Sequence, residues 1–469
     1  FKFLKNNIKK SSKFKIVYSG NTLKYIKYLF SNLLKLKRFF FIIYFVIIEL
    51  ICKIKYRKSK SEFNKIRKNS KYILVDTTLM ESCFSRNKYQ DRFYGSFIKK
   101  FKSKIVLTEE NLLFKKSIKY LNVLEKEKLL FLFKFNILNL SDYLIAFKKV
   151  CFPNLQKLKK FYNFNNINLK ILINNDIKNS FCNLNFFYGL LNFRFFLKLK
   201  KKDFKFKKII NWNENQSADK GFVLGVNTFF PKTDLIGYSP SFVNYNFFFD
   251  RQPITQEIKR KYVPKKMYLS SRKYFKDFNK FSDGKISLFE GPLFRFESIK
   301  SKKLKIRKNL QNILVLLPIE NTEVRNIFNY LEMISKEYKV SVKFHPNFSD
   351  TEINKYRKKY ANFIYTSKSF YNLIGDNDII VTNSSSTAIE AILFGKQVIS
   401  PVNSLFLLST PVVNFFGKEL YNVVYSPNDM QKIMKSIKNF SNKNKSSINE
   451  LKRSLFNKKR NLTSFPNSK

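Results

Sequence analysis

The sequence predicts an α/β protein built from two Rossmann-like domains, whose parallel sheets face a common cleft. From residue 71 onward, short apolar runs alternate with segments of helical length, and the alternation restarts after a charged stretch at 297–311. Strands that alternate with helices through short loops form parallel sheets covered on both faces. Two such blocks predict two domains, preceded by a helical N-terminal segment and followed by a helical tail.

Six apolar runs mark the strands of the first block. The clearest helix among them extends from Ala218 to Phe229. Apolar runs of this length are typical of strands that are buried on both faces. The runs are KYILVD (71–76), SKIVLT (103–108), KKIINW (207–212), TDLIGY (233–238), KKMYLS (265–270) and KISLFEG (285–291).

The second block alternates more regularly. Its predicted helices cover 322–338, 351–360 and 387–395. Its predicted strands are NILVLLP (312–318), VSVKFHP (340–346), NFIYT (362–366), DIIVTN (378–383) and KQVISP (396–401). The domain boundaries that we expect are an N-terminal segment at 1–70, a first domain at 71–296, a linker at 297–311, a second domain at 312–427 and a tail at 428–469.

The N-terminal segment is strongly basic and contains one long apolar run. Residues 1–70 carry 19 Lys and Arg against 2 Glu. The run RFFFIIYFVIIELICK (38–53) is interrupted by Glu49, and it is shorter than the ~20 residues that span a bilayer. A buried core helix, an interfacial helix lying on an anionic membrane and a true span all remain open. The chain begins with Phe1, which leaves the natural N-terminus open.

The net charge of +57 comes from 90 basic and 33 acidic residues, and it raises the question of a nucleic-acid partner. The charge is uneven, because residues 311–400 contain 10 basic and 9 acidic side chains. A nucleic-acid-binding protein would place its best-formed cleft where the positive electrostatic field is strongest. Because the block 311–400 is nearly neutral, we expect no nucleic acid in its cleft. The stretch FRFFLKLKKKDFKFKK (193–208) interleaves aromatic and basic residues. It is an RNA-binding stripe, an exposed helix or strand, or a segment that docks on anionic lipid beside a lipid-linked acceptor.

The scarcity of histidine and cysteine argues against a metal centre. The four cysteines are widely spaced in the sequence, and there is one histidine. We expect no zinc site, no disulfide framework, a reducing compartment and no cofactor beyond a co-substrate. The chain also lacks a D-x-D motif for a Mg²⁺-dependent donor site.

Two motifs of the second block lie where parallel strands end, which is where ligands collect in such sheets. His345-Pro346 ends one predicted strand, and the loop of Asn383, Ser384, Ser385, Ser386 and Thr387 follows another. Hydroxyl groups and free N–H groups at a helix start favour phosphate. An imidazole at the same edge can stabilise the charge that develops on a leaving phosphate. The alternatives are a structural histidine and an N-capping box formed by Thr387 and Glu390.

These residues resemble a known family. VKFHP (342–346) and VTNSSSTAIEAILFGKQVISP (381–401) are similar to the HP and serine-rich motifs of GT-B-fold glycosyltransferases that build bacterial capsule and lipopolysaccharide, such as sialyltransferases and Kdo transferases. In the first block, NWNENQSADKGFVLGVNTFFPKTDLIGYSP (211–240), DRFYG (91–95) and GPLFR (291–295) resemble acceptor-domain motifs of a surface-carbohydrate family.

The resemblance implies a metal-independent transferase that uses a nucleotide sugar and a glycan or lipid-linked acceptor. The donor site would include Pro318, His345, Pro346, Asn383 to Thr387, and Glu390, which would reach the ribose or base. Arg295 would add positive charge at the leaving phosphate. Glu214 is the first candidate for the base that deprotonates the acceptor, and Asp91 is the second.

The resemblance also implies a location in the cell, and it leaves several alternative functions open. We expect a cytoplasmic protein that attaches to the inner membrane. The alternatives in the same fold are a nucleotide-sugar 2-epimerase and a CDP-polyol phosphotransferase, and those of another class are a basic nucleic-acid-binding protein and a non-catalytic scaffold.

Overall fold

The structure is a computed structural model of the 469-residue chain. It describes residues 21–67, 70–80, 83–85, 88–109, 117–152, 163–164, 167–245, 248–300, 311–334, 337–346, 348–402, 409–414, 420–437 and 442–456. The described residues form two compact units, one from within 1–53 and 139–187 and one from within 54–138 and 188–469.

The larger unit contains both parallel sheets. The first sheet has seven strands, and their order is β7-β6-β5-β4-β1-β2-β3. In chain order, the strands are β1 (Ile73–Thr77), β2 (Ile105–Glu109), β3 (Leu130–Phe131), β4 (Lys208–Trp212), β5 (Asp234–Ser239), β6 (Lys266–Leu269) and β7 (Ser287–Glu290).

The second sheet has six strands, and their order is β10-β9-β8-β11-β12-β13. In chain order, the strands are β8 (Asn312–Leu316), β9 (Lys339–Lys343), β10 (Ile364–Tyr365), β11 (Ile379–Val381), β12 (Gln397–Pro401) and β13 (Tyr421–Val424). Every pairing in both sheets is parallel.

Both sheets have the Rossmann strand order, in which the chain runs outward from one central strand and then returns to its other side. In the second sheet the reversal falls between β8 and β11, and in the first sheet it falls between β1 and β4. The central strands are buried on both faces, as their continuous apolar sequence requires. The predicted fold class, two Rossmann-like domains of the GT-B type, is confirmed.

Helices cover the sheets and extend along the rest of the chain. In chain order, they are α1 (Asn21–Lys55), α2 (Ser59–Arg67), α3 (Gly95–Lys100), α4 (Ser117–Lys126), α5 (Lys134–Ile137), α6 (Leu140–Cys151), α7 (Lys170–Ser180), α8 (Leu184–Lys201), α9 (Ser217–Phe229), α10 (Thr255–Lys259), α11 (Phe275–Phe278), α12 (Glu297–Lys300), α13 (Asn321–Glu332), α14 (Asp350–Lys359), α15 (Phe370–Leu373), α16 (Thr387–Leu393), α17 (Pro427–Ser436) and α18 (Asn442–Phe456).

The predicted strands of both blocks are confirmed, with shifts of a few residues at their ends. Two strands were not predicted, namely β3, which has two residues, and β13, which lies beyond the clear alternation. The helix predicted at 322–338 ends at Glu332. In the tail, Ile448 and Leu455 of α18 are buried in the apolar core that also contains Leu314 and Ile380 of the second sheet. Most of the predicted linker, at 301–310, lies outside the described residues.

The smaller unit is mostly helical and contains a short antiparallel pair of strands, Asn163–Phe164 with Ile167–Asn168. Phe39 of α1 packs on Phe147 of α6 with ring centroids 5.2 Å apart, and the Tyr143 hydroxyl donates to Glu49, 3.0 Å away. Glu49, which interrupts the apolar run, is thus buried and bonded within this unit. No helix of the described chain has the length and apolar character that crossing a membrane requires.

Two cysteines of the smaller unit meet, although they are 31 residues apart in the sequence. The sulfur atoms of Cys151 and Cys182 lie 3.3 Å apart, and both residues are buried thiols. Burial raises the pKa of both thiols. The wide spacing of the cysteines therefore did not indicate their distances in the fold.

The stretch 193–208 combines exposed lysines, among them Lys200, Lys202 and Lys205, with aromatic side chains that are largely buried. Its first nine residues belong to α8 and its last begins β4. The side chains of Phe195, Phe196, Phe204 and Phe206 are all buried. Aromatic rings in the core are not accessible to nucleic-acid bases.

Candidate functional site

The carboxyl edge of the second sheet brings together the two motifs of the second block. Strand β8 is the centre, because Leu316 pairs with Lys343 of β9 and Val315 pairs with Val381 of β11. Adjacent strands are about 4.8 Å apart, so β9 and β11 are separated by about 10 Å. The loops that contain His345 and Asn383 therefore leave the same edge on either side of β8.

The loop after β9 holds His345 half-buried. Its carbonyl oxygen accepts from the N–H of Phe348 at 3.0 Å, which closes a turn that contains the exposed Pro346. Phe344, on the other side, is buried and packs against Phe348 with ring centroids 5.3 Å apart. The backbone on both sides of the imidazole is thus fixed by a turn and by packing.

The electrostatic surroundings of His345 favour a neutral imidazole. Burial lowers its pKa from the ordinary value of 6.5, and the positive charges of Arg92 and Lys343 lower it further. A neutral imidazole still carries one N–H donor. Without an anion nearby, His345 is therefore a hydrogen-bond donor rather than a charged acid at neutral pH.

Asn383 contributes a buried donor at the same edge. Its side chain is 1% exposed, and its oxygen accepts from the Ser409 hydroxyl at 2.6 Å. Its Nδ2 group has no partner among the described residues. Because an unpartnered buried N–H₂ is unfavourable, this group is suited to an acceptor oxygen that a ligand would supply. Pro318, two residues beyond β8, is buried at this edge.

The serine loop uses part of its hydrogen-bonding capacity internally. The Ser384 hydroxyl donates to Glu323 at 3.3 Å, and the Ser385 and Thr387 hydroxyls are 2.5 Å apart. The backbone N–H of Thr387 donates to the Ser385 oxygen at 3.2 Å. Ser386 is the N-cap residue of α16, and its side chain makes no capping bond. The helix has seven residues, so its dipole is small.

Glu390 does not form the capping box that the sequence suggested. The N-cap of α16 is Ser386 rather than Thr387, and the Glu390 carboxylate instead accepts from the Tyr371 hydroxyl at 2.6 Å. Glu390 is 2% exposed. Burial raises its pKa, although the charge of Arg295, the Tyr371 hydrogen bond and the charge of Arg92 act in the opposite direction.

Arg295 immediately precedes Phe296, and its positive charge acts on Glu390. It belongs to the short 3₁₀ turn Phe294–Phe296, is half-buried, and has its guanidinium 5.4 Å from the centroid of the Phe296 ring. Tyr371 and Arg92, which act on Glu390 beside Arg295, were not among the predicted site residues. Arg92 was part of the DRFYG motif, whereas Tyr371 belonged to no recognised motif.

The two candidate bases differ in how their carboxylates are used. Asp91 is 5% exposed and accepts four hydrogen bonds, from the Thr77 hydroxyl (2.7 Å), the Tyr89 hydroxyl (2.8 Å) and the backbone N–H groups of Phe93 (2.8 Å) and Tyr94 (2.6 Å). Both of its oxygens are occupied, as in a carboxylate that fixes a loop.

Glu214 is more accessible and is paired. Its carboxylate lies 3.0 Å from the Arg251 guanidinium, and the Ser241 hydroxyl donates to it at 3.4 Å. It follows β4, at the carboxyl edge of the first sheet. Among the described residues, no group of three or more His, Cys, Asp or Glu side chains could hold a metal ion.

Three solved structures illustrate the similarity in fold. The UDP-GlcNAc 2-epimerase of Neisseria meningitidis bound to UDP-GlcNAc is 12% identical with a TM-score of 0.45, over 82% of this chain and 94% of that one. A glycosyltransferase of Rickettsia africae is 12% identical with a TM-score of 0.41, and the match covers 83% of this chain and 94% of that one. A UDP-glucosyltransferase of Polygonum tinctorium is 10% identical with a TM-score of 0.45, and the match covers 82% of this chain and 94% of that one.

The sequence matches no family model and no curated protein.

Replacing Glu390 by glutamine should stabilise the ligand-free protein near pH 7. Because folding raises the pKa of this carboxyl, the ionised form opposes folding above the ordinary value of 4.5, and this penalty disappears as the pH falls to that value. The stability gain of Glu390→Gln, measured by thermal unfolding from pH 5 to pH 8, should therefore shrink towards acid.

Glu352→Gln is the matched control with the opposite sign. Hydrogen bonds from Ser349 lower the pKa of Glu352, so this variant should be less stable than the unaltered protein at neutral pH. The difference should shrink towards acid, because the unaltered protein loses this contribution as Glu352 is protonated. A loss of stability in Glu390→Gln at pH 7 would contradict the electrostatic account of the site.

Proposed function

We propose that the protein is a glycosyltransferase that moves a sugar from a nucleotide-activated donor to a surface-polysaccharide or lipid-linked acceptor. The observation that carries this proposal is the position of His345 and Asn383 at one sheet edge, on either side of β8. In Rossmann sheets this crevice, where the strand order reverses, is where nucleotides bind.

The donor phosphate would be bound by neutral and cationic donors together. His345 and the unpartnered amide of Asn383 supply N–H groups, and Arg295 supplies charge from the short turn before the linker. Donors fixed in advance stabilise the negative charge that grows as the sugar–phosphate bond breaks. In this scheme arginine takes the charge-neutralising role that a bound metal has in other transferases.

The acceptor side of the proposal relies on Glu214. A base that removes a proton from the acceptor hydroxyl must be reachable, and Glu214 is half-exposed at the edge of the first sheet. Its ion pair with Arg251 would hold the carboxylate in position. Asp91, with four hydrogen-bond donors on its oxygens, suits the role of fixing the Arg92 loop rather than that of a base.

His345→Ala should lower the rate of nucleotide release from the donor sugar by about 100-fold, because one donor to the leaving phosphate is lost. The assay is release of free nucleotide from UDP- and CMP-sugars, with and without glycan acceptors. Met333→Ala, an exposed residue at the end of α13, is the control and should keep full activity. Unchanged release in His345→Ala with a lower melting temperature would show a structural histidine instead.

A peripheral position on an anionic membrane completes the proposal, and it is supported by α1. One face of this helix is buried in the smaller unit, through Ile42 and Phe45. Another face exposes apolar side chains at helical spacing, which we call the exposed stripe: Leu36 (53% exposed), Phe40 (58%), Tyr44 (51%) and Ile47 (50%).

Basic residues accompany the exposed stripe. Lys35, Lys37 and Arg38 lie at its start, and Lys53 and Lys55 follow it. Apolar side chains beside lysine and arginine are typical of helices that lie in the headgroup region of a bilayer. Each basic residue near an anionic surface adds about 1 kcal/mol of attraction. A lipid-linked acceptor would be reached at such a surface.

Phe40→Ser combined with Ile47→Ser should reduce binding to phosphatidylglycerol-containing vesicles about tenfold. The reason is that two partly exposed apolar side chains are no longer transferred from water into the bilayer when the protein binds. Co-sedimentation measures this binding. The matched control pair is Phe281→Ser with Ile364→Ser, whose side chains are 44% and 47% exposed outside the smaller unit. Equal losses in both pairs, or no binding by the unaltered protein, would contradict the membrane assignment.

A further inference from the structure

The short motifs of the first block converge on one group of aromatic rings. We call Phe93, Tyr94, Trp212, Tyr238 and Phe294 the ring cluster. Its centroid distances are 4.5 Å for Phe93–Trp212, 5.3 Å for Tyr94–Tyr238, 5.8 Å for Trp212–Tyr238 and 5.9 Å for Tyr238–Phe294. All five side chains are buried. Motifs that are far apart in the sequence therefore form one packed core.

The ring cluster fixes two arginines beside it. Arg92 immediately precedes Phe93, and Arg295 immediately follows Phe294. Asp91 holds the backbone of the first segment by accepting from two N–H groups, and the Tyr238 hydroxyl holds the second by donating to the Pro292 carbonyl at 2.6 Å. Tyr94 and Phe294 connect the two segments, with ring centroids 6.4 Å apart. Arg92 itself remains exposed.

The segment that contains Arg295 packs against the second sheet's domain, because Phe296 lies in one apolar core with Ile389 of α16. The charges of Arg92 and Arg295 both act on the buried Glu390 of α16. Arg92 also acts on Lys343 and His345 at the end of β9, where burial and then the Arg92 charge lower the pKa of each. Charges must lie near one another to have such effects. This packing, the ring contact that connects the two arginine segments and the charge effects together indicate that Arg92, Arg295, Lys343 and His345 surround one site.

We propose that Arg92 is a further phosphate-binding residue, which holds the donor nucleotide together with Arg295 and His345 and so joins the first domain to the anion bound at the second. This inference rests on the proposed function. Gathered cationic groups repel one another in the empty site, and a phosphate removes that repulsion. A guanidinium also offers paired N–H donors that match two phosphate oxygens.

Because His345 is the one histidine of the chain, its ring signal reports on this site without an assignment problem. The experiment follows the ¹³Cε1–H resonance of labelled histidine by NMR against pH. In the ligand-free protein, Arg92→Ala should raise the pKa of His345, since a repelling charge is removed. Arg260→Ala, an exposed arginine of the first-sheet domain, is the control and should leave it unchanged.

The same signal then measures binding of UDP, CMP and inorganic pyrophosphate. A bound anion should raise the pKa of His345 in the unaltered protein. Whichever of these three anions binds the unaltered protein should bind Arg92→Ala about tenfold more weakly, as expected when a charged hydrogen bond is lost. Arg92→Lys keeps the charge but not the paired donors, so it should restore the ligand-free pKa and only part of the affinity.

The possible failures are distinguishable. An identical ligand-free pKa in Arg92→Ala and the unaltered protein would overturn the placement of Arg92. Equal affinity of the two for UDP or CMP would overturn its phosphate-binding role while leaving the donor site intact. If no nucleotide shifts the His345 signal in the unaltered protein, the proposed function fails, and this inference fails with it.

Discussion

The parallel pairing of β8 with β9 and β11 is the constraint on which the proposed donor site depends. His345 follows β9 by two residues and Asn383 follows β11 by two residues, so the register of these strands decides where both side chains lie. A slip of one residue would turn Leu314 and Ile380 from one face of the sheet to the other. Since both are completely buried, the core maintains the register and thereby the position of the site.

The charge at this site is supplied across the larger unit rather than by the second domain alone. Residues 311–400 are close to neutral, with 10 basic and 9 acidic side chains. Arg92 and Arg295 come from segments that are packed on the ring cluster of the first domain. Under the proposed function, an anion bound at this edge would interact with both domains, so the nearly neutral second domain would not have to supply the positive charge alone.

The sequence predicted most of the fold because buried parallel strands have a simple pattern. Strands such as β1 and β4 are continuous apolar runs between polar loops, and length and composition are enough to identify them. Strand β3 has two residues and its pairing with β2 is tertiary, so no local pattern could reveal it. The predicted domain boundaries remain predictions.

The candidate site was predictable only in part, because motifs specify neighbours along the chain and not across it. The sequence suggested that Glu390 caps its helix, whereas its partner is Tyr371, which is 19 residues away on another helix. The DRFYG motif was recognisable, but the position of its arginine depends on rings from four separate segments. In the smaller unit, Cys151 and Cys182 likewise lie side by side although they are 31 residues apart in the sequence.

The central claim is that the edge of the second sheet binds a nucleotide phosphate. Thermal unfolding of the full chain with CMP, CDP, UDP and GDP tests this directly, because a ligand at 100 times its Kd stabilises a protein by about 2.7 kcal/mol. The account predicts that at least one nucleotide raises the melting temperature of the unaltered protein and does so less in His345→Ala. Equal melting temperatures with and without all four nucleotides would contradict it.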